Sequence, residues 1–315
     1  MAGIPVAIFV GGTSGIGRGM AEAFAHHMNG NAHIIIIGRN KAAADEIIRS
    51  FPKPTPDPSS SKSHVPIHDF ISADCSLISN VHEIAETLLC RLQKIDYLVL
   101  TAGVSLLAMR KETKENLDEK MVLSYYSRWT FIHDLLPLLR KSDIRGGARV
   151  YSVLLAGRGD VGSIDLHDLD LKKRYTIARC RLCVSTYTDL MMQKLTKEEP
   201  QIGFSHAFPG LVSSPMVTSS RWWSPLIYYT FYPFFAFFAQ TPEVCWSLHL
   251  CFRADRGHCS TRLQVRSISA CMVSPSGFNS YGDMGQSLRY VPADDEIVEC
   301  VWRHTLEVTK VLRKT

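Results

Sequence analysis

The sequence predicts an α/β fold, a doubly wound parallel sheet with helices on both faces. Three observations point there. Short apolar runs, the first rich in β-branched residues, recur at residues 4–10 (IPVAIFV), 32–39 (AHIIIIGR), 96–103 (DYLVLTAG), 148–157 (ARVYSVLLAG) and 202–210 (IGFSHAFPG). Helical patterns separate them. The runs are apolar throughout rather than alternating, as strands covered on both faces must be. Size agrees, since 315 residues with 46% hydrophobic content suffice for one well-packed core, expected here as a single domain over 1–315.

Taken in order, the first run begins almost at Met1 and ends in glycines, as a buried strand does. No basic leader precedes it, so MAGIPVAIFVGG does not read as a signal peptide. A helix follows from Gly17 to about Met28, with Met20, Ala21, Phe24 and Ala25 on one face. The second strand leads into the helix AAADEIIRSF. Residues 52–66 (PKPTPDPSSSKSHVP) are dense in proline and serine and should form an exposed, flexible insertion. Later helices are expected at 120–141 and 178–195. The aromatic stretch 222–239 (WWSPLIYYTFYPFFAFFA), broken by Pro225 and Pro233, is too short and interrupted for a membrane span. It reads as part of a substrate lid over 217–260, as a weak peripheral membrane contact, or as plain core.

Composition excludes several classes. The net charge of +5, from 35 basic and 30 acidic residues, is scattered without a Lys/Arg run, which argues against a nucleic-acid partner. Nine cysteines at irregular spacing suit a reduced cytoplasmic protein rather than a disulfide framework. Cys180 and Cys183 form one CxxC without a second, and Cys245, His249, Cys251, His258 and Cys259 match no finger spacing, so no metal is expected.

The most informative stretch is FVGGTSGIGRG, between the first strand and the first helix. Gly11, Gly15 and Gly17 suit a tight turn that lets backbone approach a pyrophosphate, with the N–H groups of Thr13, Ser14, Ile16 and the helix start facing the phosphates. Here the chain resembles the short-chain dehydrogenase/reductase family, whose TGxxxGxG reads Val10-Gly11-Gly12-Thr13-Ser14-Gly15-Ile16-Gly17. Further landmarks fall in the family's order: GRN at 38–40, Asp74-Cys75 in ADCS, Ala102-Gly103 in TAGVS, and Pro209-Gly210 in FPGLVSSPM. The resemblance spans about residues 4–216 and implies a Rossmann-like fold, a nicotinamide dinucleotide cofactor, and pairing into a homodimer or homotetramer through helices 120–141 and 178–195. YYSRW, LLPLL and HAFPG resemble a branch common in filamentous fungi and often tied to natural-product pathways. At the end of the second strand an acid would favour NAD; this chain has Arg39 beside Asn40, and a guanidinium there can fork onto a 2′-phosphate. NADP(H) is therefore the expected cofactor, with an ordinary solvated arginine as the alternative.

The family's catalytic serine, asparagine, tyrosine and lysine are less well matched. Alignment on Ala156-Gly157 puts Leu154 at the serine, with Ser152 two residues early. Counting back from Pro137 puts Ser124 at the asparagine, beside Tyr125, Tyr126 and Arg128, which could donate protons or simply pack. Tyr175 and Arg179 carry the tyrosine–lysine spacing with arginine for lysine; a count without gaps lands instead on Ile177 and Arg181. Arginine keeps the charge that lowers a tyrosine pKa but cannot lose its proton. Three functions stay open: an NADPH-dependent oxidoreductase acting on a hydrophobic small molecule in a secondary-metabolite pathway, a non-redox cyclase, isomerase or dehydratase, and a silent nucleotide-binding protein.

Overall fold

The computed structural model describes residues 3–54, 66–104, 109–208, 269–273 and 293–311. Most of the 52–66 insertion, the 217–260 lid with its aromatic stretch 222–239, and the cysteines from 245 to 259 lie outside them. Seven strands form one sheet in the order β3-β2-β1-β4-β5-β6-β7. They are β1 (Val6–Val10), β2 (His33–Gly38), β3 (His68–Ser72), β4 (Tyr97–Leu100), β5 (Arg149–Val153), β6 (Gly203–Phe208) and β7 (Ser269–Val273). The first six pair parallel and β7 runs antiparallel to β6. The doubly wound Rossmann-like sheet is therefore present as expected. β7 was not anticipated.

The pleat sends alternate residues to opposite faces, and both faces are apolar. From β1, Ile8 and Val10 join the core under α3 (Ile78–Arg91) and α5 (Ser127–Leu139), with Val81, Leu88, Phe131 and Leu135. Ala7 and Phe9 join the opposite core under α1 (Gly15–His27) and α2 (Lys41–Ser50), with Met20, Phe24, Ala44 and Ile47. Each helix thus covers the sheet with the apolar stripe that its sequence period predicts. Asn40 caps α2 by accepting from the N–H of Ala43 (3.1 Å).

Two helices depart from expectation. The 120–141 segment is not one α-helix: a short α4 (Glu119–Met121) runs into a π-helical turn, Val122–Tyr126, before α5. The C-terminal helix α7 (Asp295–Val311) packs on α6 (Ile177–Glu198) and the π turn. Its Thr305 accepts from Tyr125 Oη (2.7 Å), His304 Nε2 lies 2.8 Å from Tyr126 Oη, Trp302 meets Trp129 edge-on, and Glu299 pairs with Lys194. Tyr125 and Tyr126 are thus bound into packing. The same helix covers part of the surface formed by segments 120–141 and 178–195, through which the resemblance implies subunit pairing. Among the described residues no helix is long and apolar enough to cross a membrane.

Phe24 is fully buried between Phe9 and Tyr97, with ring centroids at 5.7 and 5.2 Å. Phe24→Ala should lower the unfolding free energy by about 3–5 kcal/mol, read from urea denaturation.

Candidate active site

The strand order reverses direction between β1 and β4, and the carboxyl ends of the strands there form the crevice in which such sheets bind ligands. Gly11 closes β1 at φ +85°, and a Cβ on it would lie 2.5 Å from the Ala102 nitrogen. A Cβ on Gly17 would lie 2.4 Å from both the Gly11 oxygen and Thr101 Oγ1. Only glycine lets the first turn of α1 come down onto the ends of β1 and β4. Gly15 also takes a positive φ, 53°. Ser14 is the N-cap residue of α1, yet its side chain makes no capping hydrogen bond, so it leaves the first-turn N–H groups to another acceptor. Thr13 packs against Gly38 at the end of β2, and Ile16 packs into the α1 core.

Beyond β2 lies a cleft of about 390 Å³ lined by Arg39, Ser72, Ala73, Asp74, Asn80, Glu83 and Ile84. Arg39 is exposed on its rim. Asp74 accepts from the Ser76 N–H (3.0 Å), which shapes the turn into α3. Cys75 is buried beneath; burial, reinforced by the Asp74 charge, pushes its thiol up to about 12. The structure thus brings Gly11, Thr13, Ser14, Gly15, Ile16, Gly17, Arg39, Asn40, Asp74, Cys75, Ala102 and Gly103 along one edge of the sheet. Pro209 and Gly210 lie outside the described residues.

The residues expected to act on substrate are arranged differently. Thr176 caps α6 by accepting from the Arg179 N–H (3.1 Å), so Tyr175 precedes the helix instead of riding on it. The carboxylate of Asp168 holds the N–H groups of Lys173 and Arg174 and fixes this approach. A spacing of four aligns side chains only within a helix, and Tyr175 and Arg179 are not paired here. The Arg179 guanidinium lies 3.9 Å from the Asp165 carboxylate and 3.4 Å from the Arg174 carbonyl. The cation beside Tyr175 is Arg110, 5.8 Å from its ring centroid. Among the described residues the buried Tyr175 hydroxyl has no hydrogen-bond partner. Burial raises its pKa above that of a free phenol, with the neighbouring Cys180 and Asp118 adding to the rise. Ser124 is buried within the π turn, and Ser152 is buried at the end of β5.

The profile of the short chain dehydrogenase family matches residues 5–148. "Oxidoreductase AN1596" of Emericella nidulans is 31% identical over 95% of this chain and 91% of its own length. The chain belongs to the short-chain dehydrogenase/reductase family. "Oxidoreductase andH" of Emericella variicolor is 33% identical over 73% of this chain and 64% of its own length. Among solved structures, an alcohol dehydrogenase from Thermococcus sibiricus complexed with 5-hydroxy-NADP shares the fold at a TM-score of 0.53 and 15% identity, covering 80% of this chain and 91% of that one.

Within this family site, one pair escaped the sequence reading. His206, on β6, donates from Nδ1 to Asp189 on α6 (2.6 Å), and its Nε2 accepts from the Leu155 N–H (3.4 Å). The other Asp189 oxygen takes the Gly157 N–H (3.3 Å), and Ser185 donates to the Leu155 carbonyl. Three side chains thereby hold the turn after β5. The signal was present, since an acid at 189 and a histidine at 206 interrupt otherwise apolar core patterns. Asp189→Ala would strand the buried imidazole N–H and should cost about 1–3 kcal/mol in chemical denaturation, with faster amide exchange at 155–157.

Proposed function

We propose that this protein is an NADPH-dependent oxidoreductase that reduces a hydrophobic carbonyl compound or oxidises the matching alcohol, as a tailoring step in a fungal secondary-metabolite pathway. The observation that carries the cofactor choice is Arg39 on the rim of the cleft beyond β2, where an NAD-selective site would hold an acid. The glycine turn and the α1 N-terminus would hold the pyrophosphate, with Arg39 pairing the 2′-phosphate. Bound, the nicotinamide supplies or accepts the hydride. Fungal oxidoreductase relatives and NADP-bound fold neighbours support this reading. Aromatic density at 222–239 supports an apolar substrate.

For the proton, Tyr175 is the candidate. Among the described residues its hydroxyl is a buried phenol without a partner just before α6, and Tyr175 and Leu154 pack against the same apolar cluster. A phenol whose pKa is raised stays protonated at neutral pH, so it can donate to a carbonyl oxygen but is a poor base. Because Arg179 is engaged by Asp165 and leaves the phenol without its usual cation, acid chemistry without hydride transfer is the second reading. Deuterium from 4-deuterated NADPH appearing in product distinguishes the two.

Arg39→Ala should weaken NADPH binding by about tenfold or more while leaving NADH nearly unchanged, read by fluorescence titration. Equal loss for both coenzymes would remove the NADP assignment. Tyr175→Phe should abolish turnover with NADPH affinity intact; a fully active variant would eliminate Tyr175 as the acid.

A further inference from the structure

Arg128, at the start of α5, is 3% exposed, and no carboxylate among the described residues pairs with it. Its guanidinium is spent on neutral acceptors at the carboxyl edge of the sheet. Nη2 donates to the Ala102 carbonyl (2.7 Å), just past β4. Nη1 donates to Ser152 Oγ (2.8 Å) and the Val153 carbonyl (2.9 Å), at the end of β5. Nε donates to the Leu123 carbonyl (3.2 Å), inside the π turn. That turn is bonded from Ser127 N–H back to Val122 O, five residues apart. The wider winding and the side chain's reach together let one planar fork tie three elements.

A simple brace would not need a charge. Taking a guanidinium out of water costs several kcal/mol unless an anion offsets it. Burial pulls the Arg128 pKa down to about 9, which leaves it cationic at neutral pH. The acceptors it holds all lie on the side of the β1/β4 switch away from Arg39 and the cleft beyond β2. A dinucleotide laid across the switch with its adenosine half at that cleft must run its other half over β4 and β5.

We infer that Arg128 is the positioning residue for the nicotinamide half of the cofactor: through Ala102, Ser152 and Val153 it fixes the strand ends over which that half lies. This rests on the dinucleotide reading above. Arg128 acts through these two carbonyls and the Ser152 hydroxyl and need not touch the hydride.

The test compares NADPH with 2′,5′-ADP, which carries only the adenosine half, by titrating wild type, Arg128→Met, Arg128→Lys and Ser152→Ala. Arg128→Met should weaken NADPH by about tenfold or more while 2′,5′-ADP stays within about twofold of wild type. Ser152→Ala should show the same selective loss at smaller size, and Arg128→Lys should recover part of it. Ser152→Ala and Arg128→Lys carry the test if Arg128→Met does not fold. Variants that bind NADPH like wild type, or that lose both ligands equally, overturn the inference and leave the cofactor reading standing. A wild type that binds neither ligand overturns both.

Discussion

Everything in the candidate site depends on a close approach that no side chain would permit. The end of β1, the first turn of α1 and the end of β4 meet where Gly11 and Gly17 leave no room for a Cβ. Thr101 seals the contact, its N–H and hydroxyl both donating to the Val10 carbonyl at 2.8 Å. Because the loop is pressed against β4, the N-terminus of α1 points along the crevice rather than away from it. The dipole end of the helix and the carboxyl ends of the strands thus converge on one line. Any larger residue at either glycine would lift α1 and open that line.

The second constraint is the C-terminal helix. α7 buries Val301, Thr305 and Thr309 against the π turn, α3 and α6. His82 on α3 joins it, with Nδ1 at the Asp134 carboxylate and Nε2 3.1 Å from the Thr309 carbonyl. Both ring nitrogens lie within reach of oxygen atoms. Burial alone would push the Asp134 carboxyl up, but hydrogen bonds from His133 and His82 outweigh it and hold it well below the usual carboxylate range. Tyr125 and Tyr126, which in the bare sequence could pass for proton donors, are occupied by the same helix. Packing has removed them from the chemistry.

Much of this was legible in the sequence. Short, mostly apolar runs marked β1, β2, β4, β5 and β6, because a strand buried on both faces has few alternatives. The glycine spacing marked the tight turn between β1 and α1 for the same reason: the backbone conformations demanded there exclude other residues. What was hidden depended on contacts distant in the chain. The π turn has no local signature in VLSYY; its neighbour Arg128 reaches two strand ends and the Leu123 carbonyl within it. The start of α6 was hidden too, since a four-residue interval looks alike whether the tyrosine is inside or outside the cap. Thr176 and Asp168 decide that, and neither belongs to the tyrosine–arginine pattern.

The displacement of Tyr175 also explains how the site's charge is distributed. A cation on the first turn of α6 could serve a phenol only if both stood on one helical face. With Thr176 as the cap, Arg179 faces back over the loop and is taken by Asp165. A buried positive charge at the β4 and β5 ends belongs to Arg128, on a different helix and below the strand ends instead of beside the phenol. A charge placed there acts on whatever lies across those ends, while the phenol, surrounded by Cys180 and the apolar cluster, keeps its proton. The result is a separation: the buried cation sits at the strand ends, and the phenol apart from it stays protonated.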